Sequence, residues 1–180
     1  MPKFLTTHGV AFEIENIIVG AKRQLVLISP YLRLSKTLTE RLRDTDRRNI
    51  PTTLVYGKRA LDDEEQRALA SLRNLSLYFF DNLHAKCYFN ERALILTSMN
   101  LYEFSEKTNR EMGVLVQASE EVYRQATQEA RSIIKAAQPQ SARGGAMRPP
   151  TREHNPLPER DLSRRGRTGG GGGRGGGARR

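Results

Sequence analysis

Apolar residues recur at two different spacings along the first 137 residues. Val10, Ile14 and Ile17 are three or four positions apart, which predicts one face of an amphipathic helix. The run QLVLIS is short and aliphatic and stops before Pro30. It predicts a buried strand, because proline has no amide proton for a β-ladder. Residues 3–7 predict another short strand before the helix.

The alternation of helical and strand-like spacing continues along the chain. Leu34, Leu38 and Leu42 predict a second helix, and the runs IPTTLVYG and LSLYFF predict buried strands. The acidic start of LDDEEQRALASL predicts a helix that Asp62 or Asp63 caps.

LHAKCYF and RALILTS are two strand-like runs joined by Asn90 and Glu91, a spacing that predicts a β-hairpin. EMGVLVQ predicts one more strand, and Ser119 is placed to cap a terminal helix. Strands that alternate with helices predict an α/β fold in which helices flank the sheet, and the hairpin makes that sheet mixed.

Charge and glycine are concentrated beyond residue 137. Residues 1–137 carry 20 Lys and Arg against 17 Asp and Glu, whereas residues 138–180 carry 10 Arg, no Lys and 3 acids. The last segment also contains 11 of the 15 glycines and offers little apolar area to offset the entropy of ordering. We therefore expect one catalytic domain over residues 1–137 and a disordered, basic Arg/Gly-rich tail over residues 138–180.

The single cysteine, Cys87, cannot form an intrachain disulfide, and the chain has no start typical of a signal peptide, so we expect a cytoplasmic protein. No apolar run approaches the roughly 20 residues of a membrane-spanning helix, which predicts no stable membrane insertion. Cys87 follows His84 by three positions, and on a strand the two would face opposite ways. We predict no metal site there and interpret Cys87 as a core residue.

Polar residues interrupt the two runs of the predicted hairpin. His84, Lys86 and Tyr88 are two apart, so a strand directs them to one face. Ser98 and Asn100 have the same spacing on the returning run and can lie beside them. An imidazole, an ammonium group, a hydroxyl and an amide in one patch combine proton transfer or nucleophilic attack with donors for phosphate oxygens. The pattern predicts phosphodiester chemistry.

The stretch HAKCYFNERALILTSMN resembles the H-x-K signature of the phospholipase D superfamily, which continues to an Asp and then to Gly-Ser-x-Asn. His84, Lys86, Ser98 and Asn100 occupy the His, Lys, Ser and Asn positions. The resemblance implies a phospholipase D-like α/β fold, which agrees with the order of elements predicted above.

Two positions depart from the family pattern, since Glu91 stands where the family has Asp and Thr97 where it has Gly. The family also has a downstream acid that orients the histidine. The resemblance assigns that role to Glu111, in NREMGV.

The resemblance implies a two-step mechanism that needs neither a metal nor a cofactor. One histidine attacks phosphorus to give a phosphohistidine, a second protonates the leaving oxygen, and water activated by the second histidine then releases the product. In this scheme Lys86 acts with His84 in catalysis, and it also binds the phosphate together with Ser98 and Asn100.

The mechanism requires two histidines, and only His84 carries the signature. Of the other two, His8 is interpreted as a surface residue near the start, and His154 lies in the basic tail. We therefore expect a C2 homodimer in which both copies of His84 face each other across the axis.

The first functional hypothesis is a nuclease that hydrolyses DNA or RNA. Two alternatives stay open: a nucleic-acid-binding module of the same fold with little turnover, which Thr97 and Glu91 motivate, and a phospholipid phosphodiesterase or phosphatidyl transferase. The tail resembles Arg/Gly-rich segments that bind nucleic acid. Tyr31 and Tyr102 are further candidates for stacking on bases, although packing in the core or at the rim is the simpler interpretation.

Overall fold

The fold is built on an eight-stranded sheet in a computed structural model that describes residues 1–58, 61–101 and 109–140. The strands are β1 (Lys3–Thr6), β2 (Leu25–Ile28), β3 (Thr52–Tyr56), β4 (Leu75–Phe79), β5 (Cys87–Asn90), β6 (Ala93–Thr97), β7 (Met112–Gln117) and β8 (Gln138–Gln140). The helices are α1 (Thr7–Gly20), α2 (Lys36–Arg47), α3 (Asp63–Ala70) and α4 (Glu121–Ala136).

The sheet is mixed, with the strand order β1-β7-β6-β5-β2-β3-β4-β8. The central strands β2, β3 and β4 are parallel, and every other neighbouring pair is antiparallel. The prediction of an α/β fold with a mixed sheet is therefore confirmed. In this topology the C-termini of β1, β2 and β6 and the N-termini of β5 and β7 lie along the same edge of the sheet. We call this edge the site end.

Both faces of the sheet carry an apolar core, which gives the fold three layers. Val10 and Ile14 of α1, Leu42 of α2 and Leu69 of α3 pack on one face. On the other face Ala130 belongs to the core with partly buried side chains of α4 packed against it. Helical spacing of apolar residues thus predicts which side of α1 is buried.

Of the two predicted helix caps, the one on α3 is confirmed and the one on α4 is not. Asp62 accepts hydrogen bonds from the amides of Glu64 and Glu65, and Glu65 reaches back to the Asp62 amide, so α3 begins with a capping box. The prediction that Ser119 caps α4 is wrong. The N-cap is Glu120, whose carboxylate accepts a hydrogen bond from the Gln117 amide at 2.7 Å.

The β5–β6 hairpin is confirmed, with Glu91 in its turn. The Glu91 carboxylate accepts hydrogen bonds from three successive amides in the loop before β2, those of Lys22, Arg23 and Gln24, at 3.1–3.4 Å. Partial burial raises the pKa of Glu91, but the amide donors outweigh it and hold the pKa below its ordinary value. Glu91 therefore stabilises a loop rather than contributing to the site.

Replacing Glu91 with Gln is expected to lower the free energy of unfolding by about 1–2 kcal/mol at pH 7, because charge-assisted hydrogen bonds to three amides are lost. A depressed folded-state pKa stabilises the protein above the unfolded pKa, and this contribution disappears as the pH falls through the folded pKa. The free energies of unfolding of Glu91→Gln and wild type should therefore become more similar in acid. Urea unfolding at pH 7 and in acid checks this, with the exposed Glu129→Gln as control; a pH-independent difference contradicts it.

The described structure extends past the predicted domain boundary at residue 137. Strand β8 pairs with β4 through Leu77 and Gln140, so the sheet includes three residues assigned to the tail. Residues 141–180, including His154, lie outside the described residues. Within the described ranges no helix has the length and apolar character needed to cross a membrane.

Candidate active site

The spacing predicts that His84 and Lys86 lie within a strand, and this prediction is wrong. Both residues lie in the segment just before β5. The β2–β5 ladder ends at the pair Ile28 and Cys87, because β2 stops shortly before Pro30. Lys86 remains tied to the hairpin, since its carbonyl accepts a hydrogen bond from the Thr97 amide at 3.3 Å. The His84 side chain is exposed and that of Lys86 is half-buried.

Tyr88 was predicted to share a face with His84 and Lys86, but it is fully buried in the core. Its hydroxyl donates to the Met99 carbonyl at 2.7 Å, and burial raises the pKa of Tyr88 far above its ordinary value. Tyr88 is therefore a structural residue. It anchors the loop after β6, which carries the other predicted site residues, to β5.

The loop after β6 is fixed by two hydroxyl side chains. Thr97 donates to the Met112 carbonyl at 2.7 Å and accepts from the Met99 amide at 3.1 Å. The Ser98 hydroxyl donates to the Glu111 carboxylate and accepts from the Met112 amide at 3.2 Å. Thr97, at the position where the family has Gly, thus holds the backbone turn through its side chain.

Glu111 is buried immediately before β7 and links the site to the first helix. Its amide donates to the Thr7 hydroxyl at 2.9 Å, and that hydroxyl donates to the Glu111 carbonyl at 3.3 Å. Thr7 could not be identified from the sequence, because it is 104 residues away from Glu111 and belongs to no motif. The contact fixes the first turn of α1, including His8, at the site end.

The charge of Glu111 affects the pKa of Lys86. Partial burial lowers the pKa of Lys86, while the negative charge of Glu111 raises it. Glu111 therefore helps to keep Lys86 cationic and at the same time accepts the Ser98 hydrogen bond. Lys86, Ser98 and Glu111 form one polar cluster, and the exposed His84 lies two residues before Lys86 in the chain.

Asn100 is placed two residues after Ser98, and its side-chain oxygen Oδ1 is buried. Among the described residues this oxygen has no hydrogen-bond partner. A buried acceptor without a partner costs free energy and marks a position where a ligand can supply the donor.

Other candidates from the sequence do not join this cluster. Cys87 is buried, and burial raises the pKa of its thiol to about 12, as expected for a core residue. Tyr31 is exposed after β2, and Tyr102 lies outside the described residues. In the described ranges no group of three or more His, Cys, Asp and Glu side chains is arranged to hold a metal ion.

Comparisons with known proteins identify similar domains. The family model described as cardiolipin synthase, PLD-like domain, matches residues 14–134, whereas a search of curated proteins gives no match. Among solved structures, Nuc from Salmonella typhimurium, described as a phospholipase D family member, has a TM-score of 0.64 at 14% identity, covering 78% of this chain and 99% of its own.

Two further structures share the fold at similarly low identity. NucT from Helicobacter pylori has a TM-score of 0.67 at 11% identity and covers 78% of this chain and 99% of its own. Phosphatidylserine synthase from Haemophilus influenzae has a TM-score of 0.60 at 15% identity, covering 78% of this chain but only 39% of its own. These similarities show a common architecture.

Proposed function

Because this chain belongs to the phospholipase D superfamily of PLD-like phosphodiesterases, we propose that it is a metal-independent nuclease that hydrolyses DNA or RNA. The observation that carries the proposal is the polar cluster of Lys86, Ser98 and Glu111 at the site end, with the exposed His84 two residues before Lys86. The match with Nuc and NucT, which covers 99% of each of those chains and 78% of this one, supports a compact single-domain member of the family.

In the first step, an imidazole nitrogen of His84 from one copy forms a bond to phosphorus, and the bond from phosphorus to the leaving oxygen breaks. The protonated His84 of the second copy transfers its proton to that oxygen, which departs as an alcohol. Lys86 and the amide of Asn100 hold the phosphate oxygens and stabilise their charge. Ser98 is held by Glu111 and contributes a further polar contact.

In the second step, water replaces the alcohol. The neutral His84 of the second copy accepts a proton from water as the water oxygen bonds to phosphorus, and the bond from phosphorus to the first His84 breaks. A phosphate monoester is released and both imidazoles are ready for another cycle. Burial lowers the pKa of Lys86 and Glu111 opposes that effect. As the family resemblance implies, Glu111 also orients the histidine.

An exposed apolar surface supports the second copy that this mechanism requires. Phe4, Val114 and Leu96 are neighbours across β1, β7 and β6, and Met112 lies on the same face of β7. All four side chains are exposed; we call this surface the apolar strip. Exposed apolar patches mark interaction sites.

The apolar strip reaches the site end of the sheet, because Met112 begins β7 and Leu96 pairs with Cys87, the first residue of β5. A second copy docked on this strip covers the apolar side chains and places its own site next to the first. The second copy is the proposed occupant because one chain offers a single signature histidine.

The test is cleavage of end-labelled single- and double-stranded DNA and RNA by the purified protein in excess EDTA. The proposal predicts cleavage of at least one of these substrates at a rate that EDTA does not change. If folded protein cleaves none of them, or if cleavage stops in EDTA and returns with a divalent metal ion, the proposal is wrong.

A phospholipid phosphodiesterase is the second candidate, favoured by the likeness to phosphatidylserine synthase and by the cardiolipin synthase description of the family model. It predicts release of a headgroup from phospholipid vesicles with no cleavage of nucleic acid. The same protein preparation tests both candidates.

A further inference from the structure

A groove of about 610 Å³ lies beside the site, with α1 and α2 contributing to its walls. Its volume is in the range typical of small-molecule sites and far exceeds the space that a phosphate group occupies. Its lining combines two kinds of surface. The apolar part includes Phe12 and Leu38, and the polar part includes His8, Arg33 and Arg41.

Phe12 gives the groove an aromatic wall that is open to a ligand. The side chain is 63% exposed, although it belongs to a helix whose other apolar residues are mostly buried. Arg41 is held in position by Glu15, which accepts hydrogen bonds from the Arg41 Nε at 3.0 Å and Nη2 at 2.7 Å. An aromatic face and an ordered guanidinium group together suit a planar, polar ligand.

The groove is connected to the site through Asn100. The Asn100 side chain lines the groove, and its buried Oδ1 has no partner among the described residues. His8 lines the same space, and the preceding residue, Thr7, is tied to Glu111 by hydrogen bonds. A substrate whose phosphate lies at Asn100 therefore extends directly into the groove.

We propose that this groove is a subsite for an unpaired nucleobase of the strand being cleaved, with Phe12 as its stacking surface. The inference rests on the proposed nuclease function and specifies its substrate as single-stranded nucleic acid. A base with polar edges supplies donors for Asn100 Oδ1, and its π-face matches the Phe12 ring. A duplex base has both faces covered by its neighbours and cannot reach the ring. Arginine and histidine in the lining disfavour an acyl chain.

The proposal is tested with Phe12→Ala, which leaves the fold intact because the ring is mostly exposed. We expect kcat/KM for a single-stranded oligonucleotide to fall by about 5-fold to 160-fold, the effect of losing one aromatic stacking partner. The matched control is Val19→Ala, which removes an exposed apolar side chain from the same helix without touching the groove. The control should cleave like wild type.

An oligonucleotide of equal length with abasic sites throughout separates this inference from the nuclease proposal. Wild type and Phe12→Ala should cleave the abasic strand at equal rates, and wild type should prefer the normal single strand over both the abasic strand and a duplex. An equal effect of Phe12→Ala on normal and abasic strands, or no effect on either, overturns the subsite while the nuclease stands. If wild type cleaves no strand at all, the nuclease proposal itself fails.

Discussion

Replacement of His84 by alanine is expected to lower the rate of phosphodiester cleavage by at least about 10⁴-fold. In the proposed mechanism His84 is the nucleophile in one copy and the proton donor in the other. One substitution in a homodimer therefore removes both groups. Substrate binding should persist, because Lys86 and Asn100 remain in place. The loss should appear in initial rates measured at saturating substrate in EDTA.

The stability of the protein should not change, because the His84 side chain is exposed and sits outside the strands. Circular dichroism and thermal unfolding check this directly. His154→Ala is the matched control, since it removes a histidine that the mechanism does not use. Cleavage by His84→Ala within about ten-fold of wild type contradicts the assignment, because a general acid or nucleophile contributes more than that.

Replacement of Phe4 by aspartate is expected to convert a dimer to a monomer and to abolish cleavage. Phe4 is 64% exposed on the edge strand β1 and belongs to the apolar strip, so a charge there has little effect on folding of one chain. In a dimer the carboxylate is buried against apolar side chains of the other copy, which carries a large desolvation cost. Sedimentation velocity at micromolar concentration measures the mass.

The matched control for Phe4→Asp is Val122→Asp, which places the same charge on an exposed apolar position of α4. This variant should remain dimeric and active. Two results contradict the account: a wild-type protein that is monomeric while active, or a Phe4→Asp variant that is monomeric and still cleaves at the wild-type rate. Either result means that one chain holds a complete site.

Much of the fold follows from the spacing of apolar residues. The α1 helix is confirmed because Val10, Ile14 and Ile17 are buried on one face, and the strands around QLVLIS and the hairpin are confirmed because short aliphatic runs end at turn residues. The Ser119 prediction failed because an N-cap depends on local backbone geometry, and a neighbouring residue, Glu120, takes that position.

The sequence is less informative about where the site residues lie within the fold. Period-two spacing predicted that His84, Lys86 and Tyr88 share a strand face, but the ladder starts at Cys87, and its start depends on where β2 ends. Tyr88 packs in the core, and its buried hydroxyl is satisfied by the Met99 carbonyl, a contact that spacing does not reveal.

Contacts between residues far apart in the chain could not be predicted from the sequence. The Thr7–Glu111 hydrogen bonds and the groove beside Asn100 join residues from the first helix to the loop after β6 and the start of β7. Only the strand order brings these segments to the site end. Ser98, Asn100 and Glu111 are predicted from their motif positions, whereas Phe12 and Arg41 belong to no motif.

The most direct test of the shared site is the activity of mixed dimers. Wild-type and His84→Ala chains are unfolded, combined in equal amounts and refolded together, and cleavage is compared with the same total amount of refolded wild type. If each site needs His84 from both copies, only wild-type pairs are active, and the activity is about one quarter of the wild-type value for random C2 pairing. An activity of about one half, as random pairing gives when each chain works with its own His84, contradicts the account.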